Sequence, residues 1–231
     1  MSAIALVPAR SGSKGFPNKN IATIRNKTLI ELSIAVGKGC QQIDEVYIST
    51  DSKSYEEIAI KAGALSLGLR PAELSTDIAN NIDVAIHLLT QLEQKYEYVV
   101  LLQPTSPMRT PDNISNMLSK LKASDAEAIV SVEKLEEPHP HKLKKIITND
   151  FIEPFLKNTT SEIPRQLLPK VYKLNGAIYI ARPDIIMSKR KFITKKTIPY
   201  IMHKSINIDS QFDYDVIVGL LSTNKINIYG I

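Results

Sequence analysis

The chain has 231 residues, of which 43% are hydrophobic and 23% charged; this ordinary globular composition excludes a disordered, collagen-like or disulfide-scaffold protein. Lysine and arginine number 29 against 24 aspartates and glutamates, and the resulting net charge of +5 suits an anionic partner. The basic residues are spread along the chain and aromatics make up only 6% with no tryptophan, which argues against a nucleic-acid-binding platform.

Short Val- and Ile-rich runs alternate with helix-period segments, a rhythm that predicts an α/β domain with a mainly parallel sheet covered on both faces. Residues 4–7 read as the first strand. Thr28 opens a helix, with Glu31 three residues on completing a capping box. Residues 46–49 form a second strand. Ser54 with Glu57 repeats the capping signature, and Gly63 stands where a helix C-terminus wants it. Residues 81–95 give the clearest helix, with Ile82, Ala85, Ile86, Leu89 and Leu92 on one stripe and His87 a structural side chain within it. Residues 98–102 are a continuous apolar strand suited to the centre of a buried sheet.

Thr110-Pro111 starts the next helix, with Ile114, Met117, Leu118 and Leu121 facing inward. Residues 129–132 and 175–181 are further strands. Between them, residues 135–173 break the rhythm with Pro138, Pro140, Pro154, Pro164 and Pro169. That is too long for a structureless connection, and it reads as an arm protruding from a single domain and covered by another subunit. The lone cysteine, Cys40, can neither bridge within the chain nor build a cysteine-based zinc site. No apolar run approaches the ~20 residues of a membrane span, and the run at 3–7 is too short for a signal sequence, so a cytoplasmic location is expected.

Ligands of open α/β sheets bind beyond the carboxyl ends of the strands. After the first strand comes Pro8-Ala9-Arg10-Ser11-Gly12-Ser13-Lys14-Gly15-Phe16-Pro17-Asn18-Lys19-Asn20. Gly12 and Gly15 let backbone N–H groups approach phosphate oxygens, and Arg10, Lys14 and Lys19 supply positive charge; the alternative is a flexible basic loop. It lacks both the Walker and the dinucleotide glycine spacing. After the central strand, Gln103-Pro104-Thr105-Ser106-Pro107-Met108-Arg109 offers hydrogen-bonding side chains on a proline-fixed turn, or else a rigid connection with Thr or Ser capping.

Near the C-terminus, Asn207-Ile208-Asp209 alternates as a strand would, so that Asn207 and Asp209 share a face. Two such oxygen ligands beside phosphates suit Mg²⁺, with helix capping by Asp209 as the alternative and Asp213 on the following helix. His139-Pro140-His141 reads as a solvated loop rather than a chelate, and Lys189-Arg190-Lys191 with Lys195-Lys196 as a solvated basic face.

Together these segments resemble the bacterial N-acylneuraminate cytidylyltransferases, including relatives acting on legionaminic and pseudaminic acids. The matching pieces are the first loop through Ile21, Ser49-Thr50-Asp51, Leu69-Arg70-Pro71-Ala72-Glu73-Leu74 and Leu101–Thr110. Pro164-Arg165-Gln166, Asn175-Gly176-Ala177-Ile178-Tyr179 and Ile208-Asp209-Ser210 continue the pattern. The resemblance implies a three-layer nucleotidyltransferase fold and a homodimer whose arm reaches the partner's site. It implies that CTP and a nine-carbon 2-keto sugar acid give a CMP-sugar for surface polysaccharide and pyrophosphate, with Mg²⁺.

By that resemblance Arg10, Ser11, Gly12, Asn20 and Arg70 hold the nucleotide, with Lys14 and Lys19 near the triphosphate. Gln103, Thr105 and Ser106 face the sugar, Arg165 arrives from the neighbouring subunit, and Asn175 and Tyr179 line the sugar pocket. Arg10, Lys14 and Asp209 carry the catalysis. One departure stands out: many relatives carry two aspartates where this chain has Asn207 and Asp209. An octulosonate (Kdo) cytidylyltransferase and a non-catalytic nucleotide-binding relative are the alternatives.

Overall fold

The computed structural model describes residues 2–13, 15–157, 159 and 161–231. Its elements run β1 (Ala3–Pro8), β2 (Thr23–Ile24), β3 (Lys27–Thr28), α1 (Leu29–Gly39), β4 (Glu45–Ser49), α2 (Lys53–Lys61), β5 (Leu65–Ser66) and α3 (Asn81–Gln91). There follow β6 (Tyr98–Leu101), α4 (Pro111–Lys122), β7 (Ala128–Leu135), β8 (Lys144–Ile146), β9 (Ile152–Pro154), β10 (Val171–Ala181), α5 (Pro183–Lys189), β11 (Thr197–Met202) and α6 (Gln211–Ser222). Seven strands form one sheet in the order β11-β7-β10-β6-β1-β4-β5, with β6 at its centre as the unbroken apolar run predicts. All pairings in it are parallel except those of β10, which runs antiparallel to both β6 and β7.

Alternation along the strands divides the interior. On β1, Ala3, Ala5 and Val7 join one core, while Ile4 and Leu6 join the other. Val100 and Val99 of β6 part in the same way. The first core receives Ile30 and Ile34 of α1, Tyr55 and Ala59 of α2, and Ile114, Met117, Leu118 and Leu121 of α4. The second receives Val84, Ala85 and Leu88 of α3 and Ile186 of α5. A third cluster joins Leu29 and Leu32 of α1 to Ile217 and Leu221 of α6, with Ile208 in its middle. Each fully buried Val, Leu, Ile or Met side chain contributes about 1.5–3 kcal/mol on burial, so these clusters fix how the strand ends line up.

Several helix starts follow from the sequence. Thr28 and Glu31 form the predicted box at α1, and Thr110 with Asn113 forms one at α4 behind Pro111. The start of α2 lies two residues earlier than Ser54 suggests: Ser52 accepts from the Tyr55 N–H, and Ser54 exchanges a hydrogen bond with Ser52. The α3 helix ends at Gln91 rather than at 95, because the chain must turn for Tyr96 to reach Glu45 and for Glu97 N–H to reach Ser2. Its most buried residues are Val84, Ala85 and Leu88, so the predicted stripe is rotated, with Ile82, Ile86, Leu89 and Leu92 on its flank.

The predicted arm is shortened at both ends by the sheet, since Val171 of β10 pairs with Leu135 of β7. Its middle is a hairpin of β8 on β9 that leaves Ile146, Phe151, Ile152 and Phe155 more than half exposed. Within it His139 Nε2 lies 3.0 Å from the Pro169 carbonyl oxygen and Nδ1 accepts from the His141 N–H, so both ring nitrogens are engaged within the protein.

Candidate active site

Strands β4, β1 and β6 are parallel neighbours, so their carboxyl ends open on the same edge of the sheet. The chain leaves β1 toward β4 on one side and returns to β6 on the other, and a crevice forms at such a switch point. The cleft there is lined by Arg10, Ser13, Lys19 and Asn20 from the first loop, Arg70, Leu74 and Ala79 from the β5–α3 connection, Asn81 at the start of α3, and Gln103, Pro104 and Thr105 after β6. Asn207 and Asp209 close it.

The first loop is held from beneath. Asn20, buried, donates from Nδ2 to the Arg10 carbonyl at 2.9 Å, and Asp51 accepts from the Ser11 N–H at 2.8 Å and the Ser11 hydroxyl at 2.9 Å. Gly15 is needed for space: a Cβ there would sit 3.0 Å from the Asp209 carbonyl oxygen. Gly12 has no such crowding, its nearest neighbour being Arg10 at 4.0 Å. Lys14 lies outside the described residues, so its expected contact with phosphate has no geometry here. Arg10 pairs with Asp77 at 2.7 Å and Lys19 with Asp209 at 2.8 Å. Burial lowers the pKa of Arg70 below the usual arginine range, with Asp51 opposing that shift and Arg10 adding to it.

The other wall is built by a hydrogen-bonded chain. The Ile208 N–H donates to the Thr105 carbonyl at 2.8 Å, tying the post-β6 turn to the segment bearing Asn207 and Asp209. The Ser106 hydroxyl donates to Asn207 Oδ1 at 2.8 Å, and Asn207 Nδ2 donates to Asp209 Oδ2 at 2.7 Å. Gly176 sits where β10 slips register, and its φ of +72, which side-chain-bearing residues rarely adopt, turns the backbone beside Ser106, Asn207 and Gln103. The 207–209 segment pairs in no ladder, contrary to the strand expectation, yet its alternation holds: Ile208 is fully buried while its neighbours line the cleft. Helix capping falls to Ser210 with Asp213, leaving the Asp209 carboxylate to the cleft.

The structure thus gathers Arg10, Lys19, Asn20, Arg70, Gln103, Thr105, Asn207 and Asp209 on one surface, with Ser11 and Ser106 in direct support; Gly12 lies in the first loop but does not line the cleft. Tyr179 lies in an adjoining depression shared with Asn81, Gln103 and Phe192, its ring 6.0 Å from that of Phe192, and burial raises the pKa of its hydroxyl. Asn175 is turned into the interior, where its Oδ1 accepts from the Ser131 hydroxyl and the Ala177 N–H. Arg165 lies on the arm beside Glu136 and Glu137, outside this chain's own cleft. Asp51 and Asp77 were not assigned site roles from sequence. The signal for Asp51 was available, because an acid directly after a strand beside β1 faces the loop that follows β1.

Among the described residues no three His, Cys, Asp or Glu side chains cluster as a metal site. One exposed carboxylate with an amide beside it still fits Mg²⁺, which is held by one or two carboxylates plus substrate phosphates and keeps much of its water. As the amide stands, Asn207 turns its NH₂ toward Asp209 and its oxygen toward Ser106, so it orients the carboxylate. No helix among the described residues is long and apolar enough to cross a membrane.

Known proteins resemble the chain over most of its length. Residues 4–221 match the family model described as cytidylyltransferase. The chain is 32% identical over 225 residues to the N-acylneuraminate cytidylyltransferase of Streptococcus agalactiae serotype V, covering 96% of this chain and 54% of that protein. It therefore spans about half the length of that relative. It is 33% identical to the CMP-N,N'-diacetyllegionaminic acid synthase of Legionella pneumophila, covering 97% of this chain and 98% of that one. In three dimensions it is similar to a CMP:2-keto-3-deoxy-manno-octonic acid synthetase complexed with CTP, with a TM-score of 0.74 at 15% identity over 97% of this chain and 100% of the other. That likeness supports the nucleotidyltransferase fold.

Proposed function

The chain belongs to the cytidylyltransferase family, and from that premise we propose that it transfers CMP from CTP to the anomeric hydroxyl of a nonulosonic (sialic-type) acid. The observation that carries this reading is the convergence of Arg10, Lys19, Arg70 and Asp209 on one cleft at the carboxyl edge of the sheet. Three cations in a partly buried cleft fit a polyphosphate, and Gln103 joins that cleft to the depression beside Tyr179, which offers room for an acceptor.

In the proposed reaction the anomeric hydroxyl gives up its proton to solvent as its oxygen forms a bond to the α-phosphorus in line with the departing oxygen, and the bond from the α-phosphorus to the α–β bridging oxygen breaks to release pyrophosphate. Such transfer depends on positioning and charge neutralisation more than on covalent help from the protein. Arg10 and Lys19 neutralise charge on the α-phosphate and the leaving group, and Asn20 and Asp51 keep the loop that carries Arg10 in shape. Asp209, oriented by Asn207, would hold Mg²⁺, which when bound lowers the charge barrier on the phosphates. The apolar hairpin of the arm packs in this reading against a second copy, bringing Arg165 to the partner's site.

Pyrophosphate release with CTP and a panel of sialic, legionaminic, pseudaminic and octulosonic acids tests the proposal. Release with a nine-carbon acid is expected. Release with the octulosonic acid alone assigns the Kdo reaction instead, and CTP binding with no release from any acid leaves a non-catalytic binder.

A further inference from the structure

The side chain of Arg109 is fully buried, yet among the described residues no carboxylate pairs with it. Burial alone lowers its pKa to about 9, so it stays charged at neutral pH. Its guanidinium is spent on neutral acceptors from three parts of the fold. One terminal nitrogen donates to the carbonyls of Gln103 at 2.6 Å, Ser106 at 2.8 Å and, more weakly, Ala177 of β10 at 3.3 Å. The other donates to the Ser33 hydroxyl of α1 at 2.6 Å, and Nε has no partner. A buried, unpaired cation is an expensive way to fasten a turn, and an apolar side chain would fill the space without that cost.

The turn it fastens carries the site. Gln103 and Thr105 line the cleft, and Ser106 reaches Asp209 through Asn207. We infer that Arg109 is a positioning residue for the transfer reaction: one terminal nitrogen of its planar fork holds the Gln103 and Ser106 carbonyls while the other is anchored on Ser33 of α1, which sets both the acceptor-facing side chains and the Ser106–Asn207–Asp209 chain. A lysine keeps the charge but offers a single point donor on a different geometry, so charge alone does not replace the fork. This inference rests on the cytidylyl-transfer reading, but only for the reaction in which it is measured.

The experiment compares wild type, Arg109→Lys, Arg109→Met and Ser33→Ala, each checked for folding by near-UV circular dichroism. Turnover is scored by pyrophosphate release with CTP and the accepted sugar acid, and CTP affinity separately by calorimetry. Both Arg109 variants are expected to lose about 10- to 100-fold in kcat per folded molecule, the scale of a displaced catalytic array, with the KM and Kd for CTP within about threefold of wild type. Ser33→Ala, which removes one of the four acceptors, is expected to lose about three- to tenfold in kcat with full CTP affinity. A wild-type kcat in folded Arg109→Lys shows that charge suffices and overturns the clamp. So does a loss confined to thermal stability, and if neither Arg109 variant folds, an unchanged kcat in Ser33→Ala overturns it. Absence of turnover in the wild type with every acid refutes the functional reading instead; the clamp then stands or falls on whether folded Arg109→Met holds CTP as tightly as wild type while exposing Gln103–Ser106 to faster amide exchange.

Discussion

Lys19 Nζ lies 2.8 Å from Asp209 Oδ1, joining the first loop to a segment 190 residues away across the mouth of the cleft. The pair does two things. It holds Asp209 where Asn207 also grips it, and it keeps an ammonium next to the carboxylate that the proposed Mg²⁺ site needs. The Asp209 side chain is 64% exposed, so the ion pair itself adds little stability and gives way readily to a metal-bound triphosphate.

Asp209→Asn is therefore expected to leave the fold intact and to lower turnover by about 10²–10³, the scale of one lost electrostatic contact in a transfer site. The magnesium concentration for half-maximal pyrophosphate release should rise as well. A titration curve superposable on that of wild type would remove Asp209 from the metal's ligands.

Arg10 and Asp77 form the second such contact, at 2.7 Å. Removing the cation, Arg10→Ala, should depress kcat by about 10²–10³. Removing the competing anion should act in the opposite direction on binding: Asp77→Asn frees Arg10 for phosphate and is expected to tighten CTP by about two- to fivefold, since exposed ion pairs carry about 0.2–1 kcal/mol. Pyrophosphate release reads the first and calorimetry with CTP the second; weaker binding in Asp77→Asn would show that Asp77 builds the site and does not compete for it.

These two contacts also mark where sequence reading stops. The periodic elements were legible: the box at Thr28, the Pro111 start and the central apolar strand reflect local chemistry and burial that any three or four neighbouring residues report. The cleft residues were legible because phosphate-binding loops and proline-fixed turns fall at strand ends. Arg10–Asp77, the Arg109 clamp and the inward turn of Asn175 were not, because each depends on side chains 44 to 76 positions apart that only the completed sheet brings together. The alternation at Asn207-Ile208-Asp209 was right for a different reason than a ladder, namely the anchoring of Ile208 in the α1–α6 cluster.

Close packing of α1 on the sheet gives a stability prediction. A Cβ on Gly37 would lie 2.9 Å from Val46 Cγ2 and 3.4 Å from both Ala5 Cβ and Leu102 Cδ1. Ala5 and Val46 lie on β1 and β4 and Leu102 directly follows β6, none of which can shift without moving the cleft. Gly37→Ala is expected to cost about 1–3 kcal/mol by overpacking in spite of alanine's better helix propensity. Urea unfolding at neutral pH measures it, and a stabilised variant would contradict the packing.

Acid should weaken the opposite edge of the same strands. Glu45 accepts from the Tyr47 hydroxyl at 2.6 Å and the Tyr96 hydroxyl at 2.5 Å, and these bonds hold its carboxyl below the usual glutamate range against the effect of burial. A carboxyl depressed on folding contributes stability that is complete above its unfolded value, about 4.3, and disappears as the pH falls through the lower folded value. Wild type should therefore lose stability more steeply than Glu45→Gln below about pH 4.3, by urea unfolding across pH 3–7. Equal slopes would mean that the tyrosines do not favour the ionised form.

The arm yields the last prediction. Ile146, Phe151, Ile152 and Phe155 are between 60% and 76% exposed on one short hairpin, an apolar concentration that water does not favour. A hairpin of two three-residue strands is marginal on its own and needs a surface to lie against. If that surface is a second copy, Phe151→Asp together with Ile152→Asp should convert a dimer to a monomer in sedimentation at micromolar concentration. Arg165, which stands outside its own chain's cleft, would leave the partner's site with the arm, so turnover should fall with dimer content while CTP affinity, proposed to rest on Arg10, Lys19 and Arg70 of the same chain, should persist. Wild type sedimenting as a monomer, or a monomeric variant with full turnover, would separate the arm from the site and leave Arg165 to its pairing with Glu136 and Glu137.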